Sequence, residues 1–319
     1  MLHRRTALAT LAALITPAAR AQTYPTRPIR LVVPWAAGGN TSIIGRLVGD
    51  EMSKLLGRPL VHDNRPGAGG ATGSDMAAKS PPDGYTILIA GAGTFYRHLL
   101  ERDTPYDPER DFSFIGPIGD SPFLLVVRPG LPGTLAGFIA AAKAAPGKLN
   151  FATAGQGSTS HLTMEMFNRA AGIDAVHVPY RGSAPALTDI MGGQVDYMFE
   201  PLASTTEHFR AGRIQGLAIT TLTRSPLTPE VPTLAEAGLP GFAAAPWFGL
   251  VGPARMPDAA ITRLSEALIQ AVQEPSVAQA LVTLGVRSFT MQPPAFEAYV
   301  RGETAKWGAV IEAAGLRAG

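Results

Sequence analysis

Ile29-Arg30-Leu31-Val32-Val33-Pro34-Trp35-Ala36-Ala37-Gly38-Gly39-Asn40-Thr41-Ser42 decides the fold class of this 319-residue chain. Residues 29–33 are a short apolar, β-branched run suited to a buried strand, and Ile43–Leu56 repeats its apolar positions at helical spacing. Between them Gly38 and Gly39 can take backbone angles closed to other residues, and Asn40, Thr41 or Ser42 can cap the helix. Strand, glycine turn and helix in this order aim successive N–H groups into one concavity. That is an anion cradle, although it lacks the lysine and spacing of a phosphate-binding P-loop. Ordinary connecting structure uses the same pattern, so its meaning depends on the flanking sequence.

Upstream, Met1–Ala21 carries Arg4-Arg5, an apolar segment from Ala7 to Ile15, and Ala19-Arg20-Ala21, the small-x-small pattern cut by a signal peptidase. An export signal cleaved after about Ala21, and hence a periplasmic protein, is expected. The apolar run is far short of the about twenty residues that span a bilayer, and Arg4-Arg5 leaves the twin-arginine route open beside the general one. The segment holds three of the 27 basic side chains and none of the 25 acidic ones, leaving 24 against 25, a net charge of −1. The whole-chain pI of about 9.0 therefore overstates the basicity of the working protein. No basic block interleaves with aromatics, so no nucleic-acid partner is expected. There is no cysteine, hence no disulfide framework and no thiolate metal site. Removing 21 of 319 residues leaves 298, enough for two domains, and 46% hydrophobic with 16% charged residues suits compact α/β structure.

Downstream, the opening unit recurs. Leu60-Val61 runs into His62-Asp63-Asn64-Arg65-Pro66-Gly67-Ala68-Gly69-Gly70 and the helix-like Thr72–Ala78; Thr86–Ala90 ends in Gly91-Ala92-Gly93-Thr94. Three parallel strands ending in glycine turns at one sheet edge are where an open α/β sheet binds ligands. Adjacent strand residues face opposite ways, so His62 and Asp63 are read as structural, while Arg97 and His98 lie just beyond the third turn, within reach of an anion. Phe114–Ile118 and Leu124–Val127, separated by Gly119-Asp120-Ser121-Pro122, mark a crossing into a second domain. There Leu149–Thr153, the loop Ala154–Ser160 and a helix His161–Ala170 copy the opening logic, with Ser158, Thr159 and Ser160 offering hydroxyls and amides at a helix start. Val176–Tyr180 leads into Arg181-Gly182-Ser183, Val195–Phe199 into Glu200-Pro201, and Leu217–Thr220 is a further strand. Trp247–Val251 returns the chain to the first domain, followed by helices at 261–272, 277–284 and 296–314.

Ser158 or Ser160 with His161 and Asp189 could suggest a hydrolase. Neither serine sits in a Gly-x-Ser-x-Gly elbow, and neighbours on one helix start make a poor nucleophile–base pair. No catalytic residue is assigned. His161 is expected to pack or hydrogen-bond inside its own domain, and the scattered histidines offer no metal-binding spacing, so neither metal nor cofactor is expected.

The motifs together resemble the periplasmic substrate-binding proteins of tripartite tricarboxylate transporters, the Bug-type receptors. The likeness runs through Pro28–Pro34, Gly38-Gly39, Asn64–Gly70, Asp83-Gly84-Tyr85-Thr86, Tyr106-Asp107-Pro108, Gly155-Gln156-Gly157-Ser158, His161-Leu162, His177–Gly182, Gly193-Gln194-Val195-Asp196, Val231-Pro232-Thr233 and Lys306-Trp307, in order over nearly the whole mature length. It implies an α/β fold of the periplasmic binding protein type II-like class. Two α/β domains form a Venus-flytrap cleft with a two-passage hinge: domain 1 from 22–122 and 245–319, domain 2 from 123–244. The implied ligand is a small carboxylate (citrate, a dicarboxylate, an acidic amino acid or an aromatic acid), held by a monomer that delivers it to membrane permease subunits; presentation to a membrane sensor is the alternative. The resemblance places the carboxylate on Gly38, Gly39, Asn40 and Thr41, faced by Gln156, Gly157, Ser158 and Thr159 with help from Tyr180, Arg181 and Gly182. Trp35, Ala37, Ser42, Gly91 and Glu200 complete the candidate set. The chain departs from the family pattern at Ala36-Ala37, where Pro-Pro is common, at Ser42, where an aspartate is usual, and at Arg97-His98, where Asn-Pro is usual. The missing carboxylate suggests a poorer receptor for amino acids.

Overall fold

The computed structural model describes residues 24–35, 37–38, 40–180 and 183–317; the expected signal segment, Ala36, Gly39, Arg181 and Gly182 fall outside these. In chain order the elements are β1 (Ile29–Val33), α1 (Asn40–Leu56), β2 (Leu60–Asn64), a 3₁₀ turn (Ala68–Gly70), α2 (Ala71–Ala78), β3 (Thr86–Gly91), α3 (Ala92–Leu100) and β4 (Phe112–Asp120). Then come β5 (Phe123–Val127), α4 (Leu135–Ala144), β6 (Asn150–Thr153), α5 (Thr159–Ala171), β7 (Val176–Pro179), α6 (Ser183–Met191), β8 (Tyr197–Pro201), α7 (Leu202–Arg210) and β9 (Gln215–Ile219). The chain closes with β10 (Trp247–Pro253), α8 (Asp258–Gln273), α9 (Pro275–Thr283), β11 (Arg287–Ser288) and α10 (Pro293–Ala313).

These make two sheets, one per lobe, ordered β11-β4-β10-β3-β1-β2 and β7-β6-β8-β5-β9. In the first, β1 pairs in parallel with β2 and β3, and β10 is antiparallel to β3 and β4. In the second, β6 is parallel to β7 and β8, and β5 antiparallel to β8 and β9. Helical crossovers dictate the parallel pairs. Because β1 and β6 are each flanked by the two strands that follow them, the strand order switches there, and the loops leaving their carboxyl ends open onto a crevice.

The pleat explains the strand sequences. Ile29, Leu31 and Val33 face a core shared with α1 and α8, whereas Val32 faces the opposite cluster. That second cluster runs without interruption from Phe95, Phe114, Trp247, Phe296 and Trp307 in the first lobe to Phe123, Phe151, Phe167 and Phe199 in the second. The chain crosses between the sheets after β4 and again before β10, and Ser121 N–H donates to Pro246 O at 2.9 Å where the two crossings meet. The long helix α10 buries Phe296, Val300, Trp307 and Ile311, each contributing roughly 1.5–3 kcal/mol of burial.

The structure differs from the expected elements at three places. α3 begins immediately at Ala92, so Gly91-Ala92-Gly93-Thr94 is a helix entry and not an open loop, and Arg97 and His98 are helical. α7 was not foreseen, and neither was the two-residue β11, which exists only by pairing with Asp120 and Gly119.

Candidate functional site

At the first lobe's edge the tail of β2 supports the glycine turn. The Asn64 side-chain amide donates to Trp35 O at 2.8 Å and lies 3.2 Å from Ser42 Oγ, while Arg65 N–H donates to Val33 O at 2.8 Å. Ser42 is buried, its hydroxyl engaged by Asn64. Ala37, Gly38 and Asn40 are exposed and Thr41 is half-buried. Gly38 has φ +85°, a conformation that side chains resist. Trp35 is 45% exposed and lies against the second glycine turn, where a Cβ on Gly70 would stand 3.3 Å from Cζ2 of its ring. Gly91 ends β3 so close to the hinge strand that a Cβ would fall 2.9 Å from Trp247 O. Gly39, at the centre of the expected cradle, lies outside the described residues.

Arg97 points back into its own lobe. It donates to Gly69 O at 3.3 Å, pairs with Glu101, and lines a groove of about 310 Å³ with Asp75 and Asp103. His62 and Asp63 are structural, as their alternation implied: His62 Nε2 lies 3.4 Å from Asp50 Oδ1, and Asp63 pairs with Arg65 at 2.8 Å.

The second lobe brings three helix starts to its facing edge. Ser158 caps α5, its Oγ accepting from His161 N–H at 3.2 Å and donating to Gly155 O at 2.7 Å. Gly155 and Gly157 have φ +132° and +69°, and Ala154 N–H donates to Ser160 Oγ at 3.1 Å. Gln156 is exposed, and Gly157, Ser158 and Thr159 are half-buried. Tyr180 donates its hydroxyl to Asp189 Oδ2 at 2.6 Å, and burial, followed by this partner, pushes its pKa up to about 12. Arg181 and Gly182 lie outside the described residues. Glu200 is 2% exposed, packed under the starts of α6 and α7 with Oε1 accepting from Ser204 Oγ at 2.8 Å; burial raises its pKa to about 7. The imagined hydrolytic set is not assembled, since Asp189 serves Tyr180 and His161 Nδ1 accepts from Gly157 N–H at 3.1 Å.

The two edges meet. Tyr96 of α3, 3% exposed, places its hydroxyl 2.8 Å from Thr159 Oγ1 across the lobes, and a Cβ on Gly157 would lie 3.1 Å from Leu100 Cδ1. Neither Tyr96 nor Leu100 was anticipated from the sequence. The available signal was the apolar set Phe95, Tyr96, Leu99 and Leu100 at helical spacing after Gly93-Thr94. Loops 34–42 and 153–160 contain no lysine or arginine. The groups they offer are amides, hydroxyls and one indole, an arrangement suited to hydrogen-bonding an anion that also offers apolar surface.

Residues 44–316 match the family described as tripartite tricarboxylate transporter family receptor, and the chain belongs to that family. It is 35% identical to the protein BugT of Bordetella pertussis, over 93% of this chain and 92% of that one. Among solved structures, R. palustris Rpa4515 with adipate is 35% identical with a TM-score of 0.81, covering 92% of this chain and 98% of that one. MatC from Rhodopseudomonas palustris, with bound malate, is 33% identical with a TM-score of 0.74, covering 90% of this chain and 100% of that one. The chain has the two-domain, type II-like α/β fold of periplasmic binding proteins, BugD among them, and among the described residues no helix is long and apolar enough to cross a membrane.

Proposed function

We propose that this protein is an exported receptor that captures a small carboxylate between its lobes and delivers it to membrane permease subunits. It works as a monomer, as a binding protein and not a catalyst. The observation that carries the reading is that each lobe presents a strand-to-helix turn at its sheet edge, 34–42 and 153–160, both without a cation in their sequence and both ending at a helix start, with α3 of the first lobe reaching the second turn at Gly157 and Thr159. A carboxylate there takes N–H and O–H donors from Gly38, Gly39, Asn40 and Thr41 on one side and Gln156, Gly157, Ser158 and Thr159 on the other, with Trp35 covering its apolar stem. Hydrogen bonds to a charged group contribute roughly 1.5–3 kcal/mol each, so four or five suffice for the about 8 kcal/mol of micromolar affinity before ordering costs. The adipate and malate bound by the two R. palustris relatives support a dicarboxylate as the first choice. Ser42 in place of an acidic residue leaves the first loop without a carboxylate for an ammonium group, so plain dicarboxylates should be preferred to acidic amino acids.

Thermal shift against mono-, di- and tricarboxylates, amino acids and aromatic acids tests this, because a ligand bound only by the folded state raises its apparent stability. A shift with one carboxylate class is expected. A preference for zwitterionic amino acids would overturn the specificity argument, and a flat panel on protein stripped of co-purified ligand would overturn the receptor reading.

A further inference from the structure

Behind the second lobe's turn lies a pair of imidazoles that the ligand contacts do not use. His161, 2% exposed, accepts the Gly157 N–H on Nδ1 at 3.1 Å, so this pattern puts its proton on Nε2, which faces Glu165 Oε1 at 3.5 Å. Its ring lies flat on that of His177, with centroids 4.1 Å apart and planes 10° from parallel; the other face of His177 stacks on Phe151 at 4.9 Å. His177 Nε2 is 2.7 Å from Thr153 Oγ1, the same hydroxyl that accepts Gly155 N–H at 3.2 Å. Having accepted from Gly155, the hydroxyl has its own proton to donate, and His177 Nε2 is nearer than Gly155 O at 3.4 Å. Gly157 therefore rests directly on an imidazole lone pair, while Gly155 rests on Thr153 Oγ1, whose second lone pair can equally accept an N–H from His177.

A proton on His161 Nδ1 removes the support of Gly157. At His161 it would set an N–H against the Gly157 N–H and force ring or turn to move. Two stacked imidazolium rings at this separation would also repel each other, which discourages double protonation. The charged groups acting on His177 are Glu165, on the neighbouring helix, and His161 itself. From the sheet, Tyr197 of β8 lies beyond Phe151, and its hydroxyl donates to Asn168 Oδ1. From the first lobe, Tyr96 bonds Thr159. Burial, with His161 second, lowers the His177 pKa to about 4, which keeps its ring uncharged at neutral pH. Glu165 faces His161, so a proton reaching the pair finds its counter-charge on that side.

We infer that His161 is a positioning residue for the second half of the ligand site, holding Gly157 of turn 155–157 only while its Nδ1 carries no proton, so that acidification loosens the turn and weakens capture of the ligand. The inference rests on the reading of 156–159 as ligand-contacting. The supported turn is the one that meets Leu100 and Tyr96 across the lobes, so loosening it disturbs both the donors and the closing surface.

The test has two arms. In ¹⁵N-labelled, ligand-free protein, amide exchange protection factors at Gly157 are compared at pH 7.5 and 5.5, corrected for the intrinsic pH dependence of exchange. Wild type should lose about fivefold of its Gly157 protection, the order of one net hydrogen bond. His161→Asn, whose Oδ1 stands near the place of Nδ1 and does not titrate, should keep Gly157 protection at both pH values. Unchanged wild-type protection, or equal loss in His161→Asn, would overturn the inference. In the second arm, malate and adipate affinities are measured at the same pH values, and the ratio of wild type to His161→Asn cancels titration of the ligand. The ratio of association constants should fall by about fivefold on acidification, the order of one net hydrogen bond; a constant ratio overturns the link to binding. Because the first arm uses no ligand, failure of both dicarboxylates to bind would count against the ligand reading, while the Gly157 amide alone would still decide the support of the turn.

Discussion

Tyr96 reaches from one lobe to the other. Its ring is buried against Trp307 with centroids 6.0 Å apart, and its hydroxyl ends on Thr159 at the start of α5. Removing the hydroxyl leaves Thr159 Oγ1 without this partner but keeps the packing. Tyr96→Phe is therefore expected to cost about 1 kcal/mol of ligand binding, close to fivefold in affinity, with a smaller change in melting temperature. Titration calorimetry of the two proteins checks this, and equal affinities would show that the bond plays no part in capture. Gly157 is constrained twice, by φ +69° and by the 3.1 Å approach of Leu100 Cδ1 to an added Cβ. Gly157→Ala should weaken both stability and binding, the left-handed backbone alone costing about 1–2 kcal/mol. Recovery of binding in Gly157→Ala combined with Leu100→Ala would identify the contact across the lobes as the cause of the binding loss.

Among the elements, α5, capped by Ser158, carries the facing half of the proposed site. Ser158→Ala should destabilise by about 1 kcal/mol, lowering the melting temperature by a few degrees, and should also weaken binding through the lost tie to Gly155 O. A variant that melts lower yet binds as wild type would separate the cap from the site. The cap and the glycine turn before it were legible because they are local: Ser158 at a helix start and Gly155 and Gly157 at left-handed angles are decided within a few residues. The strand Ile29–Val33 was legible for the same reason, being a β-branched run between prolines and a glycine turn. α7 was not legible. Its sequence Leu202-Ala203-Ser204-Thr205-Thr206-Glu207-His208-Phe209-Arg210 has few apolar positions and a hydroxyl run that disfavours helix interiors. Here those hydroxyls are satisfied locally, Thr205 and Thr206 donating to Leu202 O, and the helix is held by packing on β8, β5 and β9. The Tyr96–Thr159 bond and the stacked histidines join residues 63 and 16 positions apart, and spacing along the chain carries no information about such meetings.

At the scale of the molecule, α10 and the aromatic cluster tie the lobes together. Lys306 Nζ donates to Ala243 O at 3.4 Å and Arg169 to Ala313 O at 3.4 Å, so the last helix of the first lobe also rests on the second. One half-buried and one buried group give the whole fold opposed responses to pH. His177, lowered to about 4, adds stability that is present above its ordinary value of 6.5 and is lost as the pH falls through about 4. Glu200, raised to about 7 by burial, adds stability that is present below its ordinary value of 4.5 and is lost as the pH rises through about 7. Glu200→Gln should therefore melt higher than wild type at pH 8, by an amount on the order of 1–3 kcal/mol, and the gap should close below pH 4.5. Melting curves at the two pH values check the sign, and a variant less stable at pH 8 would contradict the neutral burial of this carboxyl. The most direct test of the receptor reading is a crystal structure of the protein with the dicarboxylate that stabilises it best. The account predicts one ligand carboxylate within about 3 Å of the amides and hydroxyls of residues 38–41, with Gln156–Thr159 closing over it. A ligand seated elsewhere, or one whose carboxylates touch neither turn, would contradict it.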